Sequence, residues 1–326
     1  MKERILPYLL FIFATLSCRT EGPYVEIDGY AQGGAYSIKC SLPGIAGYEK
    51  EASRLKHGVD SILNCIDRAV SGYNSESLLS RSNAGEAITD DGSAEYFIFN
   101  DLRNYCDSIS SATEGVVDCR AAALFDIWGF GFKNGELPSD EEIQSAVKDR
   151  SRMNFNAVAQ GYSADLVAGY LEAQGIGNML VNIGGEMFCS GVNPNGMAWT
   201  IGIDAPYDGN MEPGQKLKAV FSIPPGKKCG VVTSGNYRKY YVRDGKKYAH
   251  TIDPRTGRPV QHNLLSATVI APTSALADAL ATYCMVVGPE EASRFLEQHQ
   301  DVEGCLISSD SLWCTENFRK YIGKQY

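Results

Sequence analysis

Gly161-Tyr-Ser-Ala-Asp165-Leu-Val-Ala-Gly-Tyr170-Leu-Glu-Ala-Gln174 is followed, after Gly175, by Met179-Leu-Val-Asn-Ile183, then Gly184-Gly185-Glu186, then Met187-Phe-Cys-Ser190. In the first piece Ala164, Val167, Ala168 and Leu171 recur at helical spacing, and Gly175 marks the stop. The rest reads as strand, glycine turn, strand, because two short apolar runs flank a pair of residues that accept positive φ. A helix feeding a hairpin, rather than a helix returning a parallel strand, argues for an α+β fold over a doubly wound sheet.

The flanks extend this reading. Downstream, Trp199–Ile203, Leu217–Ile223, Cys229–Ser234, Arg238–Val242 and Leu265–Ile270 read as strands. Ser274–Val287 and Pro289–His299 read as helices, with a closing strand at Cys305–Ser308. Upstream, residues 24–40 alternate as two strands around Gln32-Gly33-Gly34-Ala35. Helical spacing covers 47–70 and Glu95–Ser111, and Ser139-Asp-Glu-Glu opens a further helix with an N-cap residue and early acids. Strands gathered with strands, and helices with helices, predict mixed or antiparallel sheets with flanking helices in one domain spanning 24–326.

Residues 1–17 read as a signal peptide: Lys2 and Arg4 precede the uncharged apolar stretch Ile5–Leu16, too short for a mature membrane span. Cys18 stands where a bacterial lipobox places its lipidated thiol, although Thr15 occupies a position more often Leu, and 18–23 would then be a lipidated tether. A plain signal peptide with an incidental Cys fits the same residues. The formal charge is −9, and −10 once residues 1–17 with Lys2, Glu3 and Arg4 are removed. An acidic chain repels phosphate backbones, so no nucleic acid is expected as a partner. The 10 cysteines form no CxxC and stand at no zinc-finger spacing with histidine. Several sit in apolar context as small hydrophobes, and Cys305 with Cys314 is a conceivable disulfide pair.

Two constellations can carry chemistry. Asp278 and Thr282, four apart on a helix among alanines, put a carboxylate and a hydroxyl on one face. Mg2+ favours such oxygen ligands and often combines one carboxylate with substrate phosphates. By spacing alone, a solvated Asp and a back-bonded Thr are the commoner outcome. His250-Thr-Ile-Asp253-Pro-Arg-Thr-Gly257 is broken by Pro and Gly, so it forms a turn displaying His250 and Asp253. A histidine beside a carboxylate suits a general base, and a structural turn with an Asx cap fits equally. The glycine pairs Gly33-Gly34 and Gly184-Gly185 permit close backbone approach to a ligand, and Tyr73, Trp128, Phe130 and Tyr237 could stack on a ring, though tight hairpins and core packing use the same residue types.

Taken in order, these segments resemble the ApbE family of FAD:protein FMN transferases. Gln32-Gly-Gly-Ala-Tyr-Ser-Ile38 is similar to the family's MGTxYxI opening, and Ser71-Gly-Tyr73 through Asn83 to its SxYxxxSELSRxN segment. Phe125-Asp-Ile-Trp-Gly-Phe-Gly131, Asn156-Ala-Val-Ala-Gln-Gly-Tyr-Ser-Ala-Asp165 and Val181-Asn-Ile-Gly-Gly-Glu186 resemble WGFG, AIAKGYAVD and VxIGGE. Thr233-Ser-Gly-Asn-Tyr237, His250–Gly257 and Ala277–Thr282 complete the series.

The resemblance implies Mg2+-dependent cleavage of FAD, with FMN passed to a threonine hydroxyl of a partner flavoprotein and AMP released. It places the metal on Asp278 and Thr282 with carbonyls of Ala157 and Ala281. His250 becomes the base with Asp253 orienting it, and Tyr73, Glu114, Gly115, Val116, Asn154, Gln160 and Ile252 fall at FAD-contact positions. Asn154 replaces a frequent Asp and Gln160 a common Lys, which removes a positive charge near the dinucleotide. The implied acceptors are subunits of respiratory complexes of the Na+-translocating NADH:quinone reductase (Nqr) or Rnf type. The implied location is the inner membrane, lipid-anchored and facing the periplasm. An FAD pyrophosphatase, with water replacing threonine, and a non-catalytic flavin-binding lipoprotein are the alternatives.

Overall fold

The computed structural model describes residues 23–42, 44, 47–129, 137–207, 210, 214–236, 240–243, 246–249 and 251–325. The leader, Cys18, Phe130, Tyr237 and His250 lie outside the described residues. In chain order the elements are β1 (Tyr24–Ala31), β2 (Gly34–Ser41), α1 (Tyr48–Val70), α2 (Leu78–Asn83), α3 (Ala94–Ala112), α4 (Ala122–Ile127), α5 (Asp140–Lys148) and α6 (Ala159–Ala173). There follow β3 (Met179–Ile183), β4 (Glu186–Ser190), β5 (Trp199–Asp204), β6 (Leu217–Ile223), β7 (Cys229–Gly235), β8 (Tyr240–Arg243) and β9 (Lys246–Ala249). The chain continues through β10 (Ile252–Asp253), β11 (Arg258–Pro259), β12 (Leu264–Ala271), α7 (Ser274–Val287), α8 (Pro289–Gln298), β13 (Glu303–Ser308), β14 (Leu312–Cys314), α9 (Glu316–Tyr321) and β15 (Ile322–Gln325).

The architecture is α+β. A sheet of 8 strands runs in the order β1-β2-β3-β4-β7-β12-β13-β14, and its pairings among the described residues are antiparallel. Of the mixed and antiparallel arrangements expected, the antiparallel one is found. Neighbouring residues in the central strands feed opposite cores, as the period of 2 requires. Val232, Ala267, Val269 and Leu306 face α1, α3, α6 and α7, while Val231, Ile270, Cys305 and Ile307 face the other way. That second face is covered by a sheet of 3 strands ordered β15-β6-β5, which contributes Trp199, Ile201, Phe221 and Ile223. Both faces of the large sheet are therefore covered, which explains the near-continuous apolar runs in β7 and β12.

The sequence reading ended the sheet at Cys305–Ser308. The chain instead adds β14 and α9, then returns through β15 to β6, pairing Ile322 with Phe221. Phe318 on α9 seals the turn against Phe221, ring centroids 4.9 Å apart. Helices begin where side-chain acceptors cap free amides. Ser93 accepts from Tyr96 N, Thr273 from Leu276 N, and Ser139 forms a capping box with Glu142. Among the described residues, no helix is long and apolar enough to cross a membrane.

Candidate active site

Two glycine turns lie side by side at one end of the large sheet. Gln32 and Gly33 take φ of 52° and 76°, which closes the β1–β2 hairpin, and Gly184 and Gly185 take 68° and 118° between β3 and β4. Gly184 N donates to the Ala35 carbonyl at 3.1 Å, and the Asn182 carboxamide accepts from Gly185 N. Gln160, at the start of α6, extends its amide to Gly184, where a Cβ would lie 2.2 Å from Nε2. Gln32 reaches α6 as well, donating to Ser163 Oγ at 2.6 Å. The turns and the N-terminal end of α6 form one wall.

The second wall is α7. Its N-terminus lies between two glycines that permit backbone to touch backbone. A Cβ on Gly161 would stand 2.3 Å from the Ser274 carbonyl oxygen, and one on Gly230 would stand 2.3 Å from Ser274 N and Cα. Asp165 accepts from Ser274 N and Ala275 N at 2.7 and 2.9 Å, which satisfies two free amides of α7 and places a negative charge at its positive end. Ser274 Oγ donates to the Met187 carbonyl. These contacts fix the register of α7 against α6 and so the position of Asp278 one turn further on.

Asp278 is 4 % exposed, and its Oδ2 accepts from Gly161 N at 3.1 Å. Gly161 is the third residue of α6 after the Val158 N-cap, so its amide is one of the first-turn amides with no acceptor inside the helix. Asp278 satisfies that amide, and Ala157 precedes the N-cap, so its carbonyl is not part of the α6 ladder. Burial pushes the Asp278 carboxyl up to about 7; the Gly161 amide pulls it down, and the charge of Asp165 adds to the rise. Among the described residues, no Lys, Arg or His charge contributes to this balance. A buried carboxylate without a cationic partner is costly, and a divalent ion would offset that cost. Thr282 stands one turn along, half-buried, and Ala281 is buried within α7. The carbonyl of Ala281 lies mid-helix, where the ladder already engages it, so Ala157 is the better placed of the two carbonyl donors. Carboxylate, hydroxyl and carbonyl oxygens suit Mg2+. Among the described residues no three His, Cys, Asp or Glu side chains gather into a metal cluster.

The remaining candidates divide. Tyr73 is 77 % exposed in the loop after α1. Glu114 and Gly115 both take left-handed φ, 51° and 79°, in a turn that exposes Glu114 and buries Val116. Asn154 N donates to the Cys119 carbonyl at 2.7 Å, joining the segment at Asn154 to the chain just beyond that turn, and Asn83 clamps the adjacent Met153 by both its N–H and C=O. Ile252 is buried against α4 and α5, a packing position. The carboxylate of Asp253 is held by Arg255, at 3.0 Å from Nε and 3.0 Å from Nη2, with Arg255 N at 2.9 Å. This is the Asx-turn arrangement the sequence left open, with the Arg255 guanidinium added. Trp128 Nε1 donates to the Gly257 carbonyl at 2.7 Å, and Thr251 Oγ1 to Asn236, so the Thr233–Asn236 and 251–257 segments meet. His250 itself lies outside the described residues.

Gly161, Asp165 and Ser274 were not singled out as site residues in the sequence. Their signal was the Gly161/Asp165 pair at i and i+4, which marks a helix face but cannot name a partner more than a hundred residues away. Tyr105 was also missed. Its hydroxyl is buried without a hydrogen-bond partner among the described residues. Burial raises its pKa first, then the charges of Asp165 and Asp278.

The ApbE family model matches residues 33–306. A protein of Escherichia coli K12 named FAD:protein FMN transferase is 31% identical over 315 residues, covering 87% of this chain and 86% of its own. The solved flavin transferase ApbE of Vibrio cholerae superposes with a TM-score of 0.74 at 29% identity, covering 91% of this chain and 99% of that one. The apo flavinyl transferase ApbE of Pseudomonas stutzeri gives 0.77 at 29% identity, covering 93% and 98%.

Proposed function

The chain belongs to the ApbE family, and from that premise we propose that it transfers FMN from FAD to a threonine hydroxyl of a partner flavoprotein, releasing AMP. The observation that carries this reading is the buried Asp278 carboxylate, held by the Gly161 amide at the first turn of α6. Mg2+ on Asp278, Thr282 and the Ala157 carbonyl, with Ala281 as a further donor, would supply charge neutralisation at the FAD pyrophosphate. The chain's own groups do the rest. The turns at 32–34 and 184–185 allow close approach of a flat or phosphorylated ligand. Gln160 offers a neutral amide where relatives commonly carry a positive charge, so more of the phosphate compensation falls to the metal.

Tyr73 and the 114–116 turn would flank the flavin, with Asn154 and the main chain of Ile252 as further contacts. His250 would accept the proton of the acceptor threonine. Asp253, held by Arg255, would set the turn that presents His250 rather than serve as a free carboxylate. The acceptor would be a subunit of a respiratory or Rnf/Nqr-type complex facing the periplasm. The chain would reach it after export through residues 1–17 and lipidation at Cys18. Incubating the mature chain with FAD, Mg2+ and such an acceptor should give covalent flavin on the acceptor. FMN and AMP released at the same rate with or without acceptor would assign a pyrophosphatase instead.

A further inference from the structure

Inside the core two pairs of cysteine sulfurs face each other. Cys106 Sγ on α3 and Cys119 Sγ beyond the 113–117 turn are 2.6 Å apart, both buried. Cys305 and Cys314 are register partners on β13 and β14 with sulfurs 2.7 Å apart, also buried. A thiol is a weak donor and a weak acceptor, so an S–H···S contact contributes little to holding two buried sulfurs together. A covalent bond would bring each pair closer by only about 0.6 Å.

We infer that Cys106–Cys119 and Cys305–Cys314 are disulfide bonds, and that the first staples the turn at 113–117, which the proposed function sets against the flavin, to α3. The turn is also held by hydrogen bonds, from Thr113 N and Oγ1 to the Ile109 carbonyl, Glu114 N to the Ser111 carbonyl, Gly115 N to the Ser110 carbonyl at 2.8 Å, Val116 N to the Thr113 carbonyl, and Val117 N to Thr113 Oγ1. It contains Glu114 in a left-handed conformation, which a non-glycine residue adopts only when its surroundings impose it. The Cys119 carbonyl also holds Asn154 N, so one bridge would tie α3, the turn and the segment at Asn154 into one unit.

The oxidant is a protein or small-molecule disulfide of an oxidising compartment. The thiolate of one cysteine attacks it, forming a mixed disulfide and releasing one thiol. The second cysteine then attacks the first sulfur and displaces the other thiol. Two protons and two electrons pass from the chain to the oxidant, which leaves as two thiols. Because all four sulfurs are buried in the fold, the exchange belongs to folding, before α3 and β14 dock. The compartment rests on the export reading above; the pairing rests on the sulfur positions alone.

The test is peptide mapping of the purified full chain, denatured in an alkylating reagent without reductant. Tryptic peptides 104–120 and 295–319 each contain both cysteines of a pair with no Lys or Arg between them. Each should appear unalkylated and lighter by two hydrogens than its reduced form, and cleavage after Glu114 should leave 104–120 joined until reductant is added. Cys40, Cys65 and Cys284 should be alkylated in the same sample. Two alkylated cysteines in either peptide overturn that bridge. Chain made in a reducing cytosol, then refolded in a small-molecule thiol–disulfide buffer, separates pairing from export. Bridges that form there sustain the pairing whatever the compartment, and dithiols that persist overturn it.

Discussion

Replacing Gly161 by alanine tests the helix contact on which the candidate metal site depends. The added Cβ would stand 2.3 Å from the Ser274 carbonyl oxygen, 2.6 Å from its carbon and 2.9 Å from Ala275 N. All three atoms are backbone, so no side chain can rotate away. The helices must separate, and separation stretches the Gly161 N–H bond to Asp278 and the Asp165 bonds to Ser274 and Ala275. In a free helix Gly→Ala gains about 1 kcal/mol. Overpacking costs about 1–3 kcal/mol, and a hydrogen bond to a charged group is worth about 1.5–3 kcal/mol. The net expectation is a loss of about 2–4 kcal/mol. Gly169 is the internal control: it lies on the same helix, exposed, with open space around its missing Cβ. Gly169→Ala should gain about 0.5–1 kcal/mol. Urea unfolding of both variants beside the parent gives the comparison. A Gly161→Ala protein as stable as Gly169→Ala would refute the close approach and the placement of Asp278 that follows from it.

Asp278→Asn should abolish magnesium-dependent turnover of FAD without destabilising the metal-free chain, because it removes an uncompensated buried charge; thermal melts with and without Mg2+ check both halves. Magnesium should raise the Tm of the parent and leave that of the variant unmoved. His262 gives a pH dependence of known sign. Leu264 N donates to its Nδ1, so Nε2–H donates to the Met285 carbonyl and the ring is neutral, and burial lowers its pKa below 6.5. The stability tied to that neutral ring is complete above about 6.5 and is lost as pH falls from there through the lowered folded-state value. The parent should lose more stability than His262→Gln between pH 7.5 and pH 5 in paired denaturant titrations. Trp128→Phe leaves the Gly257 carbonyl without its indole donor, at a cost of about 1–3 kcal/mol, and hydrogen exchange in 253–258 should accelerate.

Much of the fold was readable from periodicity. The β3–Gly184-Gly185–β4 hairpin, α1, α3, α6 and α7 announce themselves by apolar spacing bounded by glycines and caps. β14 and α9 did not, because a strand of 3 residues and a helix of 6 are too short to show a period. At the site, Asp278 and Thr282 were visible as a helix face, but their setting was not. The contacts that set it, Gly161 to Asp278 and Asp165 to Ser274, span 117 and 109 residues, and local pattern carries no information at that range. Asp253 shows the opposite case. Its partner Arg255 is two residues away, and the Asx turn was already implicit in Asp-Pro-Arg-Thr-Gly. The Cys106–Cys119 approach had no sequence signal, since it depends on how α3 turns back at 113–117.

The most direct test of the proposed transfer is mass spectrometry of an exported acceptor flavoprotein after incubation with the mature chain, FAD and Mg2+. The account predicts one added FMN on a single threonine and one AMP released for each FMN attached, with neither formed by Asp278→Asn. FAD consumed into free FMN and AMP while the acceptor stays unmodified would contradict it.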